Sequence, residues 1–363
     1  SSPAATRRAT RVVIAAGGWG GLVTAALAVA EALSARGASV SFIGSAGRGD
    51  RGFPLGYPVD RLPLRGLERR LTPRNAWAAL LAALALPRAA WILRRRRVDV
   101  VVGAGGYTAG PVALAARLTR RPVVLMEADS HLGLANRLAA PLARRVALAF
   151  PLPGRRGPRY MVTGRPVSRA VVAATRTSGR RALGIPPEAT VVLVAGGSQG
   201  ARTLNLAAVE AFGDGPPFEL IHVAGPRQVD EVRELLAARD PGPRYRLVDY
   251  LDDFPNAVAA ADLVVSRAGG SVFELAAIGR PAILVPYPHA TADHQTKNAR
   301  WMAQAGAAVL LPDGECTGPR LRELVGALLA DRRRLEAMAE ASRSLGRPDA
   351  ADRIAEAVLS LAC

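Results

Sequence analysis

Thiols are nearly missing from this chain: of 363 residues only Cys316 and Cys363 are cysteine, and they form no metal-spaced pair. That excludes a disulfide framework and a thiolate metal site, and it fits a reducing compartment. Lysine is rarer still, Lys297 being the single one among 48 basic residues. The net charge of +18 is therefore carried by arginine. Aromatic residues make up only 5%. That is too few for base stacking along a nucleic acid, no recognisable binding module is present, and nucleic acid is not an expected partner. No uninterrupted apolar run reaches the roughly 20 residues that a membrane-spanning helix needs. Ser1–Thr10 are small and basic, lack an apolar signal core, and read as a disordered lead-in.

Half of the residues are apolar and 21% are charged, as in a globular protein. The length suits two α/β cores. Charge is unevenly spread. Residues 1–170 hold 27 basic and 7 acidic side chains, whereas residues 171–363 hold 21 and 23. A basic first half attracts anionic lipid or phosphorylated ligands.

Short β-branched runs alternate with helical stretches, which predicts an α/β chain with parallel sheets covered on both faces. The expected strands are Arg11–Ala16, Ser39–Ile43, Asp99–Val102, Pro122–Met126 and Val146–Phe150, then Val191–Ala195, Leu220–Ala224, Tyr245–Val248, Leu263–Ser266 and Ala282–Val285. The pattern restarts near Val191, after an expected linker around Gly164–Glu188. Each half opens with a strand, a glycine-rich turn and a helix. Two Rossmann-like domains facing a cleft are predicted, with ligands at the carboxyl ends of the strands. The expected division is 1–165 and 166–345, with a last helix in 346–363 packing back toward the first domain.

One segment departs from the alternation. Ala76–Leu86 is apolar and contains Trp77, Leu80, Leu81 and Leu84; Pro87, Trp91 and the run Arg94, Arg95, Arg96, Arg97 follow. It suits a membrane surface, with tryptophans at headgroup level and Arg94 and Arg95 on anionic lipid. The alternative is a helix pair buried against the first sheet.

Three loops carry candidate chemistry. Gly196–Arg202 (GGSQGAR) joins a strand to a helix expected to start near Ser198, whose free amides and dipole can hold a diphosphate. It lacks the Gly-Lys-Ser/Thr element of a nucleoside-triphosphate loop. Ser266–Glu274 (SRAGGSVFE) places Glu274 on a first helical turn, where it can accept two ribose hydroxyls or simply complement the dipole. Pro286–Gln295 (PYPHATADHQ) holds two of the four histidines, His289 and His294, beside Gln295. No Asp-x-Asp element is placed to hold a metal; Asp252 and Asp253 follow a strand and are expected to begin a helix.

Together, Gly196–Asn205, Ser266–Glu274 and Pro286–Asn298 resemble the donor-site motifs of the MurG family, within glycosyltransferase family 28. Val102–Pro111, Glu127–Arg137 and Thr163–Pro166 resemble its acceptor-side motifs. The resemblance implies a GT-B fold and a bacterial inverting transferase. Such an enzyme moves N-acetylglucosamine from UDP-N-acetylglucosamine to the C4 hydroxyl of the muramyl sugar of undecaprenyl-diphospho-MurNAc-pentapeptide, converting lipid I to lipid II in peptidoglycan synthesis. It implies a peripheral protein on the cytoplasmic face of the plasma membrane, with other cell-wall synthesis proteins as possible partners and no cofactor or metal.

Carried over by position, Gly197, Ser198, Gln199, Arg202 and Ser271 would surround the donor. Tyr250 and Leu251 would border the uracil, Glu274 the ribose, and His294 and Gln295 the N-acetylglucosamine. Gly20, Gly21, Gly105, Gly106, Tyr107, Asn136 and Arg169 would shape the acceptor site. The family loop GGTGGH differs here: Trp19 replaces threonine and Leu22 replaces a histidine that is a usual candidate base. Met126 stands where the family often has another histidine, and Ser168 displaces an expected arginine to Arg169. The expected bases are then Asp129 or Glu127, with His131 third. Other readings are a related UDP-sugar transferase acting on another lipid or natural product, a UDP-sugar epimerase, and a UDP-sugar-binding subunit without activity.

Overall fold

The structure is a computed structural model that describes residues 8–17, 21–45, 56–65, 73–129, 131–290 and 293–362. Most of the expected lead-in, together with Trp19 and Gly20, lies outside the described residues. The chain forms two compact units. The first runs to Arg169 and regains the chain from Arg347, and the second spans Ala170–Gly346.

In the first unit the order is β1 (Arg11–Ala15), α1 (Gly21–Ala35), β2 (Ser39–Ser45), β3 (Val59–Leu62), α2 (Pro73–Arg95), β4 (Val100–Gly103), α3 (Gly106–Leu118), β5 (Val123–Glu127), α4 (Leu134–Ala139), β6 (Arg145–Leu148) and β7 (Tyr160–Val162). The seven strands are parallel in the order β3-β2-β1-β4-β5-β6-β7. Val12 pairs with Val40 on one side and Val100 on the other. Central strands are buried on both faces, which explains why they read as unbroken β-branched runs.

After α5 (Arg169–Ala173), the second unit holds α6 (Arg176–Leu183), β8 (Val191–Ala195), α7 (Arg202–Phe212), β9 (Glu219–Val223), α8 (Val229–Ala237), β10 (Tyr245–Val248), α9 (Phe254–Ala260), β11 (Leu263–Ser266), α10 (Ser271–Ile278), β12 (Ala282–Leu284), α11 (His294–Gln304), β13 (Ala308–Leu310), α12 (Gly318–Ala330) and α13 (Arg332–Leu345). Its six parallel strands run β10-β9-β8-β11-β12-β13, the same winding as the first six of the other sheet. The closing helix α14 (Ala350–Leu359) packs Ala351, Ile354, Ala355 and Val358 into one core with Ala25, Ala28, Val29 and Ala32 of α1. Arg36 pairs with Asp352 there at 2.6 Å.

Three departures from the sequence reading have physical causes. The strands it missed, β3, β7 and β13, all lie at sheet edges. They are three or four residues long and partly exposed, so neither length nor burial marks them. About half of the expected linker is helical, in α5 and α6. Thr175 and Ser178 form a reciprocal capping box on α6, and Gly184 ends it in the left-handed region. Helix α6 then docks on α9 through Ser178 to Asn256 at 3.0 Å and Arg180 to the Ala260 carbonyl at 3.3 Å. Finally, α2 is one helix that continues through Pro87 instead of a pair. Ala83 and Pro87 are both exposed, so the turn that loses a hydrogen bond to the proline lies on the outer side of the helix.

Candidate active site

In both sheets the winding reverses beside the first strand, between β1 and β4 and between β8 and β11. Loops at the carboxyl ends of those strands splay apart and leave a crevice, the usual ligand position in such sheets. The candidate glycine loops fall at these two places.

In the second unit the loop after β8 is a tight turn, with the Gly200 amide donating to the Gly197 carbonyl at 3.0 Å. Gly197 and Gly200 adopt φ of +88° and +78°, a region that side chains disfavour. A Cβ on Gly200 would stand 2.2 Å from the Ala224 carbonyl oxygen, so this loop fits tightly against the turn after β9. Helix α7 begins at Arg202, which corrects the expected start near Ser198. Ser198 and Gln199 lie in the exposed loop ahead of it. The Arg202 guanidinium pairs with Glu231 of α8 at 2.8 Å.

The loop after β11 leads into α10, where Ser271 is the first residue and Glu274 is in the first turn. Gln295 Oε1 accepts from the Tyr287 amide at 2.9 Å, and its amide nitrogen is 3.9 Å from where a Gly269 Cβ would stand. His294 opens α11. Asn298 donates to the Ala268 carbonyl at 3.0 Å. Buried Arg267 ties the same region together: it donates to the carbonyls of Val285 and Pro286, pairs with Asp313 and lies over the Tyr287 ring. Tyr250 and Leu251 follow β10 at the same edge, and Tyr250 is exposed. Asp253 caps α9, accepting from the Asn256 amide, as expected for a helix start. Arg267 and Asn298 were not picked out from sequence; their spacing to Pro286 and Ala268 is meaningful only once the strands are side by side.

In the first unit, Gly105 and Gly106 have φ of +93° and +73° and start α3. A Cβ on Gly106 would stand 2.0 Å from the Gly17 carbonyl oxygen, so the loops after β1 and β4 nest closely. Gly21 begins α1, and Leu22 of the next position packs its side chain toward Gly105. The Tyr107 hydroxyl is shared with Ser45 at 2.7 Å. Arg169 opens α5, its backbone amide 3.4 Å from Glu31 Oε2.

The loop after β5 is organised around Glu127. This buried carboxylate accepts from the Asp129 amide at 3.1 Å, the Gly133 amide at 2.9 Å and Asn136 Nδ2 at 3.0 Å. Asn136 also donates to the Met126 carbonyl at 2.8 Å. Burial raises the Glu127 pKa above the ordinary carboxylate value; the three N–H donors oppose that shift and the nearby Asp129 charge adds to it. Among the described residues, His131 Nδ1, Asn136 Oδ1 and Thr108 Oγ1 are buried without a hydrogen-bond partner.

Helix α2 presents Trp77, Leu80, Leu84 and Trp91 outward, at 52%, 47%, 61% and 55% exposure. Their spacing follows one helix face. Leu81 is half-buried. Arg94 and Arg95 are exposed, and Arg95 stacks on Trp91 at 4.9 Å. Arg96 instead pairs inward with Asp60 of β3. Leu114 and Leu118 of α3 and Leu134 and Leu138 of α4, overlooked in the sequence, are exposed on the neighbouring helices. Among the described residues no helix is long and apolar enough to cross a membrane.

The family model of the glycosyltransferase family 28 N-terminal domain matches residues 12–148, and that of the C-terminal domain matches residues 191–354. A relative from Halorhodospira halophila is 44% identical over 95% of this chain and 96% of its own. One from Desulforudis audaxviator is 41% identical over 97% and 98%. Both carry the name UDP-N-acetylglucosamine–N-acetylmuramyl-(pentapeptide) pyrophosphoryl-undecaprenol N-acetylglucosamine transferase. Among solved structures, Acinetobacter baumannii MurG superposes with a TM-score of 0.75 at 29% identity, covering 97% of this chain and 99% of its own. A Neisseria meningitidis UDP-GlcNAc 2-epimerase shares the fold, with a TM-score of 0.69 at 16% identity and coverage of 97% and 100%.

Proposed function

The chain belongs to glycosyltransferase family 28, and from that membership we propose how its residues divide the labour of the transfer. The protein is an N-acetylglucosaminyltransferase that uses UDP-N-acetylglucosamine and extends lipid I to lipid II. The observation that carries this is 41–44% identity, over nearly the whole length, to transferases named for that reaction.

The donor occupies the second unit. Ser198, Gln199 and the amides of Gly197 and neighbouring residues hold the diphosphate, aided by the unbonded amides of the first α7 turn. Glu274 takes the ribose, Tyr250 and Leu251 border the uracil, and Ser271, His294 and Gln295 face the sugar. All of them sit on loops or helix starts at one edge of the sheet, which supports the assignment. Gly21, Gly105, Gly106, Tyr107, Asn136 and Arg169 belong to the acceptor side.

Asp129 is assigned as the base. It lies beside Glu127, whose two oxygens are already engaged by three N–H groups, so Glu127 shapes the loop and Asp129 takes the proton. The deprotonated acceptor hydroxyl displaces UDP at the anomeric carbon with inversion, and charge growing on the diphosphate is met by fixed backbone dipoles. No metal enters this scheme. The face of Trp77, Leu80, Leu84 and Trp91 with Arg94 and Arg95 rests on an anionic membrane, which makes the protein peripheral on the cytoplasmic leaflet.

Purified protein incubated with lipid I and radiolabelled UDP-N-acetylglucosamine is expected to yield labelled lipid II at a rate unchanged by chelator. Donor turnover without acceptor would replace this reading with epimerisation. Loss of rate with EDTA, restored by a divalent cation, would replace the dipole account of the leaving group.

A further inference from the structure

A buried polar chain runs beneath the donor loop and begins at Asn205, the last residue of the Gly196–Asn205 motif. Asn205 on α7, His222 on β9 and Tyr245 on β10 are all buried. One backbone oxygen fixes every proton in the chain. The Ala224 carbonyl can only accept, so the Asn205 group 2.9 Å away is its NH2. The same NH2 donates to Gln228 Oε1 at 2.8 Å. Asn205 Oδ1 therefore faces His222 Nε2 at 3.0 Å, and that nitrogen must carry the hydrogen. His222 Nδ1 is then an acceptor, and the Tyr245 hydroxyl, 2.8 Å away, donates to it. The imidazole is neutral in this arrangement, and burial agrees, lowering its pKa to about 4.

The Ala224–Gln228 turn held at the upper end of this chain is the one against which the donor loop closes. A Cβ on Gly200 would stand 2.2 Å from the Ala224 oxygen and 3.3 Å from Gln228 Cδ. A Cβ on Gly225 would stand 2.5 Å from both the Gly200 amide nitrogen and its Cα. With backbone against backbone at Gly200 and Gly225, a shift of one turn moves the other. If the Asn205 amide turned over, its oxygen would oppose the Ala224 and Gln228 oxygens. The flip would also set the Asn205 NH2 against the His222 N–H, so the Ala224 carbonyl and neutral His222 hold the amide from both ends.

We propose that His222 and Asn205 are positioning residues for the transfer reaction, with Tyr245 setting the imidazole: the network locks the Ala224–Gln228 turn, and through it the Gly197–Gly200 loop, in the form that receives the UDP diphosphate. The inference rests on the donor assignment made above. Neither residue touches substrate; both act through backbone contacts.

The test is UDP binding by calorimetry, together with kcat and separate KM values for donor and lipid acceptor, on the full-length protein and on His222→Phe, His222→Gln and Asn205→Asp. His222→Phe is expected to weaken UDP and raise the donor KM by about tenfold, leaving the acceptor KM within twofold. His222→Gln can accept from Tyr245 and donate to Asn205, and is expected to recover UDP affinity to within threefold. Asn205→Asp keeps the acceptor for His222 but loses both donors to the turn, so it is expected to match His222→Phe; it serves as the second probe if His222→Phe does not fold. Folded variants whose thermal midpoint falls while UDP affinity and donor KM stay within twofold would overturn the inference alone. Failure of the unmodified protein to bind UDP would overturn the donor assignment, and the inference with it.

Discussion

The two units share a winding but finish their active edges in opposite ways. In the second, polar side chains at the carboxyl edge are tied to the backbone of the loops: Arg267 bonds the Val285 carbonyl, Gln295 the Tyr287 amide and Asn298 the Ala268 carbonyl, and Asn205, held by His222, bonds the Ala224 carbonyl after β9. In the first, Glu127 organises one loop, yet Thr108 Oγ1, His131 Nδ1 and Asn136 Oδ1 are buried with unmet hydrogen-bonding capacity. Among the described residues no such atom occurs at the carboxyl edge of the second sheet, the edge proposed for the donor. A nucleotide is charged and carries many hydrogen-bonding groups, and a site built in advance spares the cost of ordering the protein around it. At the edge proposed for the acceptor, a ligand that gave those atoms partners would relieve the cost of leaving them unmet.

The sharpest way to break this contrast is at the acceptor-side loop. Asp129→Asn is expected to lower kcat by roughly 100- to 10,000-fold, the usual contribution of a general base, with UDP affinity unchanged. Glu127→Gln should act differently. It replaces an acceptor of three N–H bonds and lowers the thermal midpoint along with the rate. Equal kcat for Asp129→Asn and the unmodified protein would move the chemistry to His131 or off this loop.

Acidification tests the contrast next. His222 has a folded pKa near 4 against about 6.5 unfolded, so the unfolded chain binds more protons between those values. The stability tied to neutral His222 is present above pH 6.5 and is lost as pH falls toward 4, by about 3 kcal/mol. Glu127 has the opposite sign. Its pKa is raised in the fold, so its contribution is present below the unfolded carboxylate range and declines as pH rises through the folded value. Hydrogen exchange at pH 7 and pH 4.5 is expected to show β9 and β10 losing protection more than β5. In His222→Phe that excess should vanish. Equal loss in both sheets would mean that the imidazole does not set the response.

How much of this was legible in sequence follows the same divide. Contiguous loops such as Gly196–Arg202 and Ser266–Glu274 could be read because strand, glycines and helix start adjoin in the chain. Central strands were readable because full burial on both faces demands unbroken apolar runs. His222 was not singled out, since a lone histidine in a strand becomes a relay only when Asn205, 17 positions earlier, and Tyr245, 23 later, are packed beside it. The exposed leucines of α3 and α4 were hidden for a related reason: an apolar helix residue reads as core until its face is known.

The neighbouring apolar face of α2 yields a smaller effect. Trp77→Glu, Leu84→Glu and Trp91→Glu together are expected to reduce binding to anionic vesicles by at least about tenfold, because apolar burial and charge attraction both weaken. The residues are exposed, so the thermal midpoint should hold. Vesicle binding that persists would place the lipid contact elsewhere.

The smallest effect concerns the other end of the second sheet. Arg280 precedes β12 at its amino edge, and its Nε is buried without a partner. Burial, with the charges of Arg176, Arg343 and Arg180 nearby, lowers its pKa to about 10; Asp262 opposes the shift but is already shared by Arg176 and Arg180. An orphaned polar atom at the acceptor edge can be satisfied by the substrate, whereas Arg280 lies at the end of the strands opposite the donor loops. Here the unmet group is a cost without a ligand to relieve it. Arg280→Met keeps the aliphatic bulk and removes the charge, and it is expected to stabilise the protein by about 1 kcal/mol, or roughly 2–4 °C in Tm, with donor KM unchanged. The matching change at the acceptor edge, Asn136→Leu, is expected to cost activity and stability together, because Asn136 also donates to Met126 and Glu127. A lower Tm for Arg280→Met would show that this guanidinium has a stabilising partner and would erase the distinction between the two kinds of unmet group.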